Sequence, residues 1–237
     1  STLPGGFLFE RPHHRRIATL LDALDGELLA AHRCLFGGGT AAALQHGEYR
    51  ESVDVDFLVS DVDGYRGLRQ LTAEGNAMSA FARRDLNQLR ELRVDQYGIR
   101  TLIEIDGQAI KFEIIHEGRI VLEASGPEDR LRGVATLSAL DLVATKLLAN
   151  ADRWADRVVY NRDIIDLAMI APTADLMRQA IAKASVPYGD SVRASINRAI
   201  DYLQDNPHRL DECQEALRMQ GTPKAVLWQR IKRLRFD

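Results

Sequence analysis

Hydrophobic residues change their rhythm along this chain. Over residues 14–32, Ile17, Leu20, Leu21, Leu24, Leu28 and Leu29 recur at helical spacing and predict one amphipathic helix. A brief apolar run over 33–36 is stopped by Gly37-Gly38-Gly39, which predicts a short buried strand. Thr40 then stands where a helix N-cap is wanted, ahead of a short helix over 41–45 that Gly47 closes. From 53 to 59 the rhythm becomes alternation, with Val53, Val55, Phe57 and Val59 on one face and Asp54, Asp56 and Leu58 on the other.

Two more apolar-rich runs, 99–105 and 109–115, flank Asp106-Gly107-Gln108 and predict a hairpin. Between these strand regions, 60–64 reads as a plain turn. An EF-hand reading of it fails, because Val59 and Gln70 would fill loop positions that need acidic residues. The segment 68–93 is polar, arginine-rich and poorly periodic, consistent with exposed helices or a long loop. After a Gly-, Pro- and charge-bearing linker over 125–132 the pattern is wholly helical. Ser138-x-x-Asp141 resembles a capping box, opening a helix to about 154 with Leu140, Val143, Ala144, Leu147 and Leu148 as its buried stripe. Lys146, Asn150 and Arg153 share its polar face, and the next helical stretch places Asp163 and Asp166 on one face. Two or three amphipathic helices follow over 174–219, broken at 187–189 and 206–207, and a basic one over 224–236. Residues 1–133 are expected to form one domain and 134–237 a second, helical one.

Composition narrows the classes. The 237 residues give room for two small cores, and the apolar and charged content is that of a soluble globular protein. A net charge of −3 gives no global basic field advertising nucleic acid. Cys34 and Cys213 stand far apart, in no spacing for a disulfide framework or a cysteine zinc site. His13, His14, Arg15 and Arg16 read as a solvated first turn, since no carboxylate or cysteine stands at ligand spacing beside them. No apolar run is long enough for a membrane span and no signal-like segment is visible, so the expected compartment is the cytoplasm, without a membrane partner.

The candidate chemistry lies around the glycine run. Asp54 and Asp56, two apart on a strand, share a face and can hold divalent cations together. The Gly38-Gly39-Thr40 turn opens a helix whose first N–H groups favour a phosphate. A phosphate cradle beside a di-aspartate metal site suits phosphoryl transfer. The hairpin adds Glu104 and Glu113 as candidates for a third carboxylate. Basic residues beside Trp228 in the last helix suit nucleic-acid backbone contact, although a helix C-terminus also welcomes cations.

Gly38-Gly39-Thr40 followed by Arg50-x-Ser52-x-Asp54-x-Asp56-Phe57 resembles the first motif of the DNA polymerase beta nucleotidyltransferase superfamily, in its AbiEii-like toxin branch. Lys111-Phe112-Glu113, the stretch around Lys146, and Asn161–Leu167 resemble that family's second, third and fourth motifs. The resemblance implies an α+β fold, a mixed sheet with flanking helices followed by an all-helical C-terminal domain that completes the nucleotide and acceptor site. It implies Asp54, Asp56 and Glu113 as ligands of a two-ion Mg²⁺ site, with Mn²⁺ as a substitute. It implies nucleotide contacts from Gly38, Gly39, Thr40, Arg50, Ser52, Lys146 and Asp166, with Asp163 orienting the acceptor. The partners implied are a nucleoside triphosphate, tRNA or another RNA as acceptor, and an antitoxin protein. The extra glycine Gly37 and the lack of a strongly basic body depart from the pattern. A small-molecule nucleotidyltransferase and a non-catalytic nucleotide-sensing module stand as the alternatives.

Overall fold

The computed structural model describes residues 9–73, 75 and 77–236. Its contacts divide the chain into two compact units. One takes the described residues through Leu44 together with Val53–Ser138, and the other takes Gln45–Ser52 with the chain from Ala139 onward.

The first unit is built on a mixed sheet. Its strands are β1 (Leu35–Gly37), β2 (Val55–Val59), β3 (Asn87–Gln88), β4 (Arg93–Val94), β5 (Gly98–Ile105) and β6 (Gln108–His116), in the order β1-β2-β6-β5-β3 with β4 also on β5. The β2–β6 pairing is parallel and the others antiparallel. The β5–β6 hairpin turns on two residues, Asp106 and Gly107, whose φ angles of 48° and 74° fit a turn that follows strand twist. A small hairpin of β7 (Arg130–Leu131) and β8 (Val134–Ala135) lies apart from the sheet's ladder. Helices α1 (Pro12–Ala23), α2 (Gly26–Ala31), α3 (Gly38–Gln45) and α4 (Val62–Ala73) accompany the sheet. Phe36, Phe57 and Phe112, tilted against one another with centroids 5.5 and 5.8 Å apart, cross the core strand by strand.

Several expected boundaries move, each for a local reason. The helix expected over 14–32 is two, because Asp25 starts a new one by accepting the Leu28 N–H at 3.1 Å. The Asp25 N–H meanwhile donates to the Phe81 carbonyl at 2.8 Å, which holds the break in place. Residues 60–64 are not a plain turn: Asp61 accepts the Gly64 N–H at 2.7 Å and starts α4. Within 68–93, Leu68, Met78, Phe81 and Leu92 reach into the core from between largely exposed polar residues.

The second unit is helical: α5 (Ala139–Arg153), α6 (Arg162–Ile170), α7 (Ala174–Tyr188), α8 (Ser191–Asp205), α9 (Pro207–Ala216) and α10 (Lys224–Lys232). Helix α5 packs against α6, α7 and α8; of its predicted stripe Val143, Ala144, Leu147 and Leu148 are buried and Leu140 is half-buried. Pro207 opens α9 at the position where a missing N–H costs nothing. Among the described residues no helix is long and apolar enough to cross a membrane.

Candidate active site

Strand register gathers the sheet unit's chemistry. Gly37 pairs with Asp56, Asp56 with Glu113, and Glu113 with Arg100, so one row crosses four strands. Residues opposed in this way point to the same face, on strands about 4.8 Å apart. Asp56 and Glu113 are thus neighbours although 57 positions separate them in the chain.

The glycine turn packs directly on Asp56. Gly38 has φ +70°, and a Cβ there would lie 2.8 Å from Asp56 Oδ2 and 3.1 Å from Asp56 Cβ. Only glycine accepts both the left-handed backbone and that approach. Helix α3 begins at Gly38, three residues earlier than expected, so Thr40 is not its N-cap. The buried Thr40 hydroxyl donates instead to the Asp54 carbonyl and ties the first turn of α3 to the start of the aspartate strand. Val53 is 49 % exposed, and the strand starts at Val55 rather than 53. The His13 ring, expected in solvent, reaches the Val53 carbonyl at 3.1 Å, where Nε2 serves as donor; His14 is fully buried. Two side chains from distant elements therefore hold the backbone around Asp54.

Glu113 stands where the motif reading places it, but its oxygens face cations. Arg100 Nε donates to Oε1 at 2.9 Å and Lys111 Nζ lies 2.7 Å from Oε2. Arg100 is held in turn by Asp95 at 3.1 Å. Asp95 also accepts the N–H groups of Tyr97 and Gly98, and those bonds, with Arg100, hold its pKa below the usual range. Burial works against the Lys111 ammonium, yet Glu113, with the fields of Asp54 and Asp56, outweighs it and raises its pKa. The expected cage of three carboxylates is accordingly not assembled among the described residues. The residue types nevertheless suit a hard divalent cation: Lys111 contacts Glu113, and the charges of Asp54 and Asp56 act on the same ammonium.

Arg100 and Asp95 escaped the sequence reading. A two-residue turn at Asp106-Gly107 sets Arg100 opposite Glu113, whereas the three-residue turn expected there shifts the register by one and moves the arginine to the other face.

The remaining motif residues meet inside the helical unit. Arg50 grips Asp166 with two bonds, Nε–Oδ1 at 2.7 Å and Nη2–Oδ2 at 3.0 Å, and the Tyr49 hydroxyl donates to the same carboxylate at 2.6 Å. Lys146 Nζ lies 2.6 Å from Asp166 and 3.0 Å from Asp163, which also takes Arg153 at 2.6 and 3.0 Å. Burial alone would raise both aspartate pKa values. For Asp163 the Lys146 charge leads the opposing forces, for Asp166 the Arg50 charge, and both carboxylates stay ionised below the usual range. Arg50 and Asp166, expected at the nucleotide, are each other's buried partners, with 3 % and 0 % exposure. Their charges are engaged inside the unit, Arg50 on Asp166 and Asp166 on both Arg50 and Lys146. Lys146 is neither solvated nor free, and Ser52 is buried two positions before Asp54. Three cations face two carboxylates here, and neighbouring Arg162, its pKa lowered by burial and by Arg153 and Arg50, adds a fourth.

A mixed sheet carrying a glycine turn against paired aspartates, followed by a helical unit, defines a nucleotidyltransferase-like protein. The fold agrees with a solved structure from H. pylori, provisionally described as a nucleotidyltransferase: TM-score 0.55 and 15 % identity, covering 96 % of each chain. No curated protein matches the chain. Residues 19–234 match the family described as nucleotidyl transferase AbiEii toxin, type IV TA system, and the chain belongs to that family. It is therefore a nucleotidyltransferase toxin of a type IV toxin–antitoxin system, with a nucleotide substrate and an antitoxin as partner.

Proposed function

We propose that the protein transfers a nucleoside monophosphate from a nucleoside triphosphate to a hydroxyl of RNA, tRNA foremost, with Mg²⁺ and in the cytoplasm. The observation that carries this reading is the row Gly37–Asp56–Glu113, with the Gly38 backbone pressed on the Asp56 carboxylate. Asp54 and Asp56 are the residues to hold Mg²⁺, with Mn²⁺ as a substitute, and Glu113 joins them when Lys111 gives up its oxygen. The bound ions supply charge neutralisation for phosphoryl transfer. The chain's own contribution is placement. The Gly38 and Gly39 N–H groups at the opening of α3 present donors and the helix dipole to a phosphate. Thr40 and His13 keep the aspartate backbone fixed while it is loaded. In the helical unit, Lys146 has two of its three donors on carboxylates, which leaves one for a phosphate oxygen. The excess of cations around Asp163 favours an anionic ligand there; Asp163 itself, buried and held by Lys146 and Arg153, sets the position of those two cations rather than meeting the acceptor directly.

The test is label transfer. Protein and its Asp56→Asn variant are incubated with Mg²⁺, each α-labelled nucleoside triphosphate and total tRNA. Label on RNA with the wild type alone is the expected result. Label on neither, with Mg²⁺-dependent pyrophosphate release on a small-molecule pool, assigns a small acceptor instead. Equal transfer by Asp56→Asn overturns the metal role of that residue.

A further inference from the structure

The helical unit contains a groove between the start of α7, the start of α8, and α10 with the residues after it. At about 570 Å³ it is ligand-sized, within the ~300–1,000 Å³ common for such clefts. Its floor is apolar, with Met177, Ile181 and Leu234, and among the described residues its wall holds five arginines and no carboxylate. This is notable in a chain of net charge −3. Arg178 and Arg235 have acidic neighbours, Asp175 and Asp201. Among the described residues Arg193, Arg230 and Arg233 pair with no carboxylate.

Helix electrostatics accounts for only part of this gathering. Arg230 sits in the last turn of α10, where the dipole favours a cation. Arg193 stands in the first turn of α8, where the dipole opposes one, and Arg178 is in the first half of α7. Residues from the first turns of α7 and α8 and three guanidinium groups without a carboxylate partner among the described residues thus line one opening, which raises its attraction for an extended anion. Half-buried Phe236 borders the groove with the Arg193 guanidinium 5.5 Å from its ring centre, so an aromatic face accompanies the charges. Cations tracking a phosphate chain beside an aromatic platform suit single-stranded nucleic acid, whose bases stack without sequence preference.

We propose that this groove binds the phosphodiester backbone of the RNA acceptor, with Arg193, Arg230 and Arg233 on phosphates and Phe236 against a base. The assignment rests on RNA being the acceptor. Each arginine–phosphate contact releases counterions, so it contributes roughly 0.7 to 0.9 to the slope of log affinity against log salt.

The experiment measures binding of fluorescein-labelled tRNA across a salt series for wild type, Arg230→Ala/Arg233→Ala, Arg230→Lys/Arg233→Lys and Phe236→Ala. Circular dichroism confirms folding of each. The double alanine variant is expected to weaken binding at least tenfold and to lower the slope by about 1.5. The lysine variant keeps the slope, and Phe236→Ala weakens binding roughly tenfold with the slope unchanged. Absence of tRNA binding by the wild type, or an unaltered slope in the folded alanine variant, overturns the proposal. So does a variant that keeps tRNA but loses polyglutamate, which would assign the groove to an acidic protein. Label transfer is read separately. A wild type that binds tRNA through these arginines without labelling it retains the groove and removes the acceptor assignment.

Discussion

At the scale of the residue, the site depends on one atom that is absent. Gly38 brings the α3 turn onto Asp56 because it has no Cβ, and alanine there meets both a carboxylate oxygen at 2.8 Å and a left-handed backbone. Gly38→Ala is expected to cost about 1–2 kcal/mol of stability through the backbone and, by displacing Asp56, at least ~100-fold in transfer rate. Melting temperature and rate of labelling, measured together, separate the two effects; a wild-type rate refutes the packing argument. The aspartates and this glycine were legible in the sequence because their signal is local, a turn and an alternation within twenty positions. Arg100 was not legible, since its place beside Glu113 depends on a hairpin register that one turn residue decides. If Arg100 positions Glu113, then Arg100→Gln should weaken Mn²⁺ binding roughly 10–100-fold, read by titration without substrate. Unchanged Mn²⁺ affinity would confine Arg100 to a surface role.

At the scale of the element, motif positions prove to have two different employments. The stretch Gln45–Ser52 is fastened to the helices: Arg50 and Tyr49 hold Asp166 on α6, and the Glu51 N–H donates to Leu217 at 2.9 Å. Motif resemblance made Arg50 and Asp166 look alike in kind to Asp54 and Asp56, because a sequence pattern carries no measure of burial. Their geometry is that of a staple. Removing one member strands a buried charge, so Asp166→Asn should destabilise the helical unit by about 3–5 kcal/mol at pH 7 in urea denaturation. A loss below about 1 kcal/mol would show that the pair is replaceable. Helix types were legible throughout the second half, where amphipathic spacing is sustained over many turns, but not every face: Lys146 and Asn150, expected on a polar face of α5, are buried. The break at Asp25 and the start of α3 were not legible either, since each is decided by a bond from elsewhere in the fold or by strain in a turn.

At the scale of the whole molecule, each compact unit has a core of its own and a single buried thiol, Cys34 in the sheet unit and Cys213 in the helical one. Burial pushes both thiols above the usual range, Cys213 to about 11, so neither reacts readily while its unit is folded. The two units differ in how their carboxylates are stabilised. Asp163 and Asp166 are buried with depressed pKa values, whereas the depressed Asp25 and Asp95 of the sheet unit lie near the surface. Solvent screening makes surface pairs worth little. A carboxylate depressed in the folded state contributes stability that is complete above its unfolded pKa, about 3.9, and is lost as pH falls toward its folded value. Acid therefore removes support from the helical unit first. Labelling with a dithiodipyridine reagent, which reacts with thiols in acid, should modify Cys213 before Cys34 as pH is lowered from about 4 to about 2, the window below the unfolded carboxylate pKa. In Asp166→Asn much of that acid dependence should already be gone, because the protonation it reports has no site. Simultaneous labelling of both thiols, or Cys34 first, would mean that the buried ion network does not set the acid stability of its unit.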